Sequence, residues 1–237
     1  MNKKVISLVL GLMCLLLTFG ICLQMRIVNN SNSTVSQNYE ENQLRAEVLK
    51  YKEKYDNKYK EVEKAEEELE KQREKATLNN EELTQVQNEI KKGNKMIGLS
   101  EVTGPGIILT LSDNQNISTV LNISDAIVHD LDILSVVNEL KNAGAEAISI
   151  NEQRIVATTA ISCGGNIIDI NGEKVGAPFV IKAIGLPEQL AALSRPGGYL
   201  SILKDDYGIG VELKKENSIT IPKYTGVINF KYAQNIK

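Results

Sequence analysis

His129 is the chain's one histidine, and Asp130 and Asp132 follow it directly. An imidazole beside carboxylates is the pattern of an acid–base pair or of a metal corner. The same residues also make a polar helix start, because acidic side chains are favoured at the positive end of a helix. The apolar spacing that follows them favours that plainer reading. A second polar run, Asn151-Glu152-Gln153-Arg154, comes straight after a strand-like segment. Strand ends in α/β sheets often hold ligands, and a guanidinium can grip a carboxylate or phosphate through paired hydrogen bonds. Equally, Arg154 can pair with Glu139 or Asp130, and Asn151 can shape a turn. With Asn138, these give the candidate binding set Asn151, Gln153, Arg154, Asn138, His129 and Asp130.

Nothing in the chain reads as catalytic. There is no serine nucleophile elbow, no H-E-x-x-H zinc motif and no phosphate loop, and Gly208-Ile209-Gly210 is too short for a dinucleotide fingerprint. Cys163 stands alone outside the N-terminal apolar run, which holds Cys14 and Cys22. Without a C-x-x-C pair, neither a zinc site nor a redox site is supported. The expectation is a protein that is not an enzyme and has no catalytic residue, metal or cofactor. A formal charge of −3 gives no electrostatic footprint for nucleic acid.

The elements that must position these residues fall into parts with different compositions. Residues 1–26 combine a basic tip with an apolar run, Val5 to Met25, that carries no charged side chain. A span of about 20 apolar residues matches the hydrocarbon thickness of a bilayer, and it is longer than the core of a cleaved signal peptide. The run also lacks a small-residue cleavage site, so a retained transmembrane anchor is expected. Lys3 and Lys4 lie at one end and Arg26 at the other, so the positive-inside rule places the N-terminus in the cytoplasm and the rest outside.

Residues 27–95 read as a Ser/Asn-rich tether, Asn29 to Asn38, and then a coiled-coil stalk. The seam runs Leu44, Val48, Tyr51, Tyr55, Lys58, Val62, Ala65, Leu69, Gln72, Ala76, Asn79, Leu83, Val86, Ile90. Its steps alternate four and three, the spacing that a left-handed coiled coil buries. Lys58, Gln72 and Asn79 are polar interruptions that can select register or partner. In a parallel pair Glu47 meets Lys52 and Glu68 meets Arg73 of the other helix favourably, while Glu61 and Glu66 repel. Self-association and pairing with a related membrane protein both remain open. A lone helix held by pairs such as Glu41–Arg45, Asp56–Lys60 and Glu67–Lys71 is the remaining possibility. Residues 39–92 are expected to form one helix, ended by Lys92-Gly93-Asn94.

Residues 96–237 read as a small α/β domain. Ile107 to Leu111 is a strand, Ser112 to Ser124 a polar loop, and Asp130 to Ala143 a helix with Ile133, Val136, Val137 and Leu140 inward. Ala147 to Ile150 follows as a strand, so a β–α–β unit with a parallel crossover is expected. Ile155 to Cys163 and Asn166 to Ile170 are strand-like, and Asn171-Gly172 signals a tight turn. Phe179 to Gly185, a short helix from Pro187 to Ser194, and strands Gly210 to Lys215 and Ser218 to Ile221 complete it. The fold class is α+β: a transmembrane helix, a long coiled-coil helix, and a small domain with helices packed on a mixed sheet.

One set of residues carries a resemblance. His129-Asp130-Leu131-Asp132, Val137-Asn138-Glu139-Leu140, the run Ala143 to Asn151, and Gln153-Arg154 form a long motif, joined by Gly104-Pro105-Gly106, Pro178 and Ala183-Ile184-Gly185. The chain resembles the bacterial family with domain of unknown function 881, which includes the division-initiation proteins of Gram-positive bacteria. That resemblance implies a cell-envelope protein linked to cell division, with no established catalytic residues. The expected partners are the membrane, a homo- or hetero-oligomer through the coil, and other envelope or division proteins. The function expected is a non-enzymatic scaffold; the alternative is an outer ligand-sensing domain that uses Asn151 and Arg154 and signals through its stalk.

Overall fold

The computed structural model describes residues 3–78, 80–116, 126–165, 167–229 and 231–233, with side chains in the first helix described at 11–25 and from 41 onward. It divides into two compact units, 1–79 and 80–237.

The first unit is helix α1, Lys3–Thr77. The expected tether at 29–38 is not a break: the backbone stays helical through it. Ser and Asn are weak helix formers but not breakers, and neither Gly nor Pro occurs between Gly20 and Gly93. Among the described residues no helix is long and apolar enough to cross a membrane. The side chains of residues 5–10, the first part of the expected span, lie outside those described, as do those of Lys3, Lys4 and Arg26.

The expected single helix through 39–92 is instead two. Helix α1 ends at Thr77 and α2 spans Glu81–Ile97. The side chain of Asn80 accepts a hydrogen bond from Leu83 N at 3.2 Å, the N-cap geometry that starts a new helix. Leu83, Val86 and Ile90 therefore belong to the second unit, and Asn79 lies outside the described residues. Nor does the helix stop at Gly93. It runs on to Gly98, whose φ of 85° places it in the left-handed region. Leu99 N donates to Asn94 O at 2.8 Å and Gly98 N to Lys95 O at 3.3 Å, the paired bonds of a Schellman cap.

The second unit contains a five-stranded sheet in the order β3-β2-β7-β1-β8. Its strands are β1 Val102–Ser112, β2 Ala147–Ile150, β3 Gln153–Arg154, β7 Phe179–Ile184 and β8 Gly210–Ile221. A smaller sheet joins β4 Ile161–Cys163, β5 Ile168–Ile170 and β6 Glu173–Val175. Every recorded strand pair is antiparallel, which corrects the expected mixed sheet. The parallel crossover is also corrected. Strands β1 and β2 both pair antiparallel with β7, so they run alike but β7 separates them. Between them in the chain lies α3, Asp130–Asn142, making a split β–α–β unit.

Ile107, Leu109 and Leu111 of β1 alternate inward and meet Ile133, Val136, Val137 and Leu140 of α3 in the main core. The same core takes Leu190 and Leu193, from α4 Pro187–Leu190 and the 3-10 turn Ala191–Ser194, and Leu200 and Leu203 from α5, Tyr199–Asp205. The expected strand Ile155 to Cys163 is real only over β4, and the two expected C-terminal strands are one, β8. The register of β1 against β8 shifts between Gly104 and Gly106. Two steps on β1 there face three on β8, and the carbonyl of the intervening Pro105 turns to the other side, accepting Gly185 N at 2.9 Å. The expected loop at 112–124 is described only as far as Asn116, and Asn166 also lies outside the described residues.

Candidate functional site

Strands β2 and β3 form a hairpin in which Ile150 faces Gln153. Its two turn residues, Asn151 and Glu152, have φ of 44° and 66°, the left-handed pair of a type I′ turn. Asparagine tolerates that region. Its side chain is also engaged: Nδ2 donates to Pro178 O at 3.2 Å and Oδ1 accepts Val180 N at 2.6 Å. Glu152 pairs with Lys182 of β7. Asn151 therefore fastens the turn to the neighbouring strand, the structural role weighed for it in the sequence.

Arg154 is 4% exposed. Its Nη1 donates to Ser100 O at 3.2 Å and Pro222 O at 3.1 Å. The segments entering β1 and leaving β8 are thus pinned to β3. Neither Glu139 nor Asp130 pairs with it among the described residues. Desolvation of the guanidinium lowers its pKa. Gly98 makes the approach possible, since a Cβ there would stand 2.6 Å from Val156 Cγ1 and 3.6 Å from Arg154 Cγ. Two hollows open beside the side chain. One, of about 240 Å³, is lined by Met96, Ile97, Lys141, Ile155 and Ala157 among others. The other, of about 410 Å³, is lined by Lys95, Glu101, Thr103 and Ile184, and both share Glu146 with Arg154.

His129 and Asp130 lie elsewhere, at the start of α3. His129 is the N-cap residue, and its N–H donates to Asp132 Oδ2 at 2.7 Å, so Asp132 closes the first turn. Chain folding adds a group the sequence did not point to. Cys163 N donates to Asp130 Oδ2 at 3.0 Å, and Cys163 Sγ lies 3.8 Å from His129 Nδ1. The hydrogen bond from the Cys163 side chain holds the Asp130 carboxyl below its usual range. Desolvation, and then the Asp130 carboxylate, pushes the Cys163 thiol up. A thiol nucleophile needs the opposite, a pKa lowered toward neutrality. Among the described residues no three His, Cys, Asp or Glu side chains are placed to hold a metal ion.

The structure thus brings His129 and Asp130 together with Cys163, and Asn151, Gln153 and Arg154 together on one hairpin. Asn138 is exposed on α3 and joins neither cluster by any recorded side-chain bond. Sequence reasoning treats Cys163 only as a lone thiol and misses its contact with Asp130, 33 residues away, along with Tyr199, 67 residues from Asp132. Neither separation leaves a local signal.

An antiparallel sheet carrying a split β–α–β unit, preceded in the chain by a long helix, defines the class as α+β. The chain belongs to the bacterial protein family of unknown function DUF881, whose model matches residues 89–234. It is 35% identical to UPF0749 protein YlxW of Bacillus subtilis strain 168, over 90% of this chain and 94% of that one. It is 22% identical to UPF0749 protein YlxX of the same bacterium, over 94% of both chains. The crystal structure of an uncharacterized conserved protein from Mycobacterium tuberculosis shares the fold, with a TM-score of 0.51 and 25% identity, covering 62% of this chain and 99% of that one.

Proposed function

We propose that this is a non-enzymatic envelope protein, anchored in the membrane by Val5 to Met25, with its C-terminal domain outside the cytoplasm. It serves as a scaffold or assembly partner, and its α1 helix is the association element. The observation that carries this reading is the apolar stripe on α1. Leu44, Val48, Tyr51, Tyr55, Val62 and Leu69 recur at heptad spacing and are all exposed, between 48% and 62%. A single helix leaves such a stripe in water; a second helix buries it.

In a parallel pair the charges are mixed, Glu47–Lys52 and Glu68–Arg73 attracting across the seam and Glu61–Glu66 repelling. Lys58 lies in the seam and pairs with Glu61 at 2.6 Å. That cation offsets the repulsion between Glu61 and Glu66 of the second helix. Arg45 pairs with Glu41 at 2.6 Å on the same helix, and such a contact adds only a few tenths of a kcal/mol, roughly. Isolated ion pairs are therefore a weak reason for so long a helix, and burial of the stripe a stronger one. The link to cell division rests on the family resemblance.

Protease added to intact protoplasts tests the topology. The C-terminal domain should be digested while a cytoplasmic control protein survives. Survival of the domain until the bilayer is broken overturns the anchored, outward-facing reading. Chemical cross-linking in the same membranes, followed by identification of what co-elutes, reads the partner.

A further inference from the structure

Arg154 is a buried cation without a counter-ion. Its recorded bonds run from Nη1 to two backbone carbonyls, and no described carboxylate pairs with it. Nε and Nη2 have no described partner, yet neither is among the buried polar atoms sealed away unpaired. Arg154 lines two hollows, and its Nε lies 3.6 Å from where a Cβ on Gly98, another wall residue of the smaller one, would stand. Burying a charge is costly unless an opposite charge or good hydrogen bonds replace the lost water. Two carbonyls supply part of that replacement. The Nε and Nη2 side of a guanidinium is also one of the two edges on which a carboxylate sits with parallel hydrogen bonds.

The surroundings narrow the ligand. Met96, Ile97, Ile155 and Val156 give the smaller hollow an apolar wall, while Glu146 borders both hollows. Volumes of about 240 and 410 Å³ suit a fragment at or below the size of an ordinary small-molecule ligand. We propose that these hollows form a binding site for a small peptide-like carboxylate. The carboxylate seats on Nε and Nη2 of Arg154, the ligand's amide N–H faces Glu146, and its side chain lies against Met96 and Ile97. This site is independent of the scaffold reading: it stands or falls without the coiled coil or the membrane anchor.

The test uses the full chain purified in detergent and titrated calorimetrically with N-acetyl-alanyl-alanine. The same peptide with its C-terminus amidated is the control. Saturable binding of the acid and none of the amide is expected. Ala157→Trp, which fills the smaller hollow from an exposed position, should weaken binding about tenfold or more and leave the unliganded melting temperature unchanged. Arg154→Lys should weaken it by a similar factor, the loss of a charge-assisted bond. If Arg154→Lys does not fold, Ala157→Trp decides alone. Equal binding of acid and amide, no saturable binding, or unaltered affinity in Ala157→Trp overturns the proposal.

Discussion

Tyr199 donates its phenolic hydrogen to Oδ1 of Asp132 at 2.6 Å, while Oδ2 of the same carboxylate accepts the His129 N–H at 2.7 Å. One carboxylate therefore closes the first turn of α3 and holds the first residue of α5 against it. Neighbouring Ile202, Leu203 and Ile209 give the phenol a partly apolar setting. Replacing Tyr199 by Phe removes the hydroxyl and leaves the packing. The expected cost is about 2 kcal/mol, within the usual net range of a hydrogen bond to a charged acceptor. Urea unfolding of the full chain measures it, and an unchanged midpoint would show that the clasp contributes nothing.

The same contact sets a pH dependence. Desolvation first, and then the hydrogen bond to Asp132, raises the Tyr199 pKa to about 12, against about 10 for an unfolded tyrosine. A folded-state value above the unfolded one adds stability that is fully present below pH 10, roughly. That stability is lost as pH climbs toward 12, because the unfolded chain ionises first. Wild type should therefore lose stability more steeply than Tyr199→Phe across that window. Parallel pH profiles for the two proteins would refute the assignment.

Gly106 is fixed by backbone proximity. A Cβ there would stand 1.9 Å from the Ala183 carbonyl oxygen and 2.9 Å from its carbon. Strands β1 and β7 pair at this point, with Gly106 opposite Ile184. Backbone, unlike a flexible side chain, cannot yield without breaking the ladder. Gly106→Ala should cost about 3 kcal/mol or more, at the upper end of overpacking penalties. Gly165, where an added Cβ meets nothing within 4 Å, has a φ of 88° and so tests backbone strain instead. Gly165→Ala should lose only about 1 kcal/mol. A thermal melt that ranks the two substitutions the other way would overturn this account.

What the sequence made legible follows from locality. The α3 pattern at Ile133, Val136, Val137 and Leu140 is a one-helix periodicity, and all four side chains are buried. Asn171-Gly172 names its own turn, with φ of 58° and 85°. Pro187 opens α4 as its chemistry dictates. The order of strands is different, since β7 inserts between β1 and β2 through contacts across more than 30 residues. No window of residues announces that. A helix end is hard to read where two signals compete: Gly93 has the right residue type, but Gly98 has the left-handed backbone and the Schellman bonds. At the candidate site, residue type alone singles out Asn151, Gln153 and Arg154, and the structure places them on one hairpin. That Arg154 would bond backbone carbonyls rather than Glu139 or Asp130 depends on Ser100 and Pro222, both distant in sequence.

Ser149 offers a substitution in the stabilising direction. Its side chain is fully buried on β2 and its Oγ has no hydrogen-bond partner. A buried hydroxyl without a partner forfeits its hydration. Ser149→Ala should leave stability unchanged or raise it by about 1 kcal/mol, since the unpaired oxygen goes and little volume is lost. A loss of more than about 1 kcal/mol would mean that the hydroxyl is satisfied in solution, and a thermal melt distinguishes the outcomes.

The stripe on α1 makes a prediction that depends on angular position rather than on hydrophobicity. Leu69 lies in the heptad seam at 48% exposure, whereas Leu49 is one position past the seam residue Val48 and 66% exposed. Both are leucines on the same helix, so replacing either by Glu removes comparable apolar surface and adds one charge. If a second helix covers the seam, Leu69→Glu buries a carboxylate against apolar neighbours and should weaken association by about 2 kcal/mol or more. Leu49→Glu faces outward from that pair and should change association by less than about 0.5 kcal/mol. Analytical ultracentrifugation of the full chain in detergent reads both. Equal effects would indicate non-specific adhesion of exposed leucines, and no effect from Leu69→Glu would leave the seam without a partner.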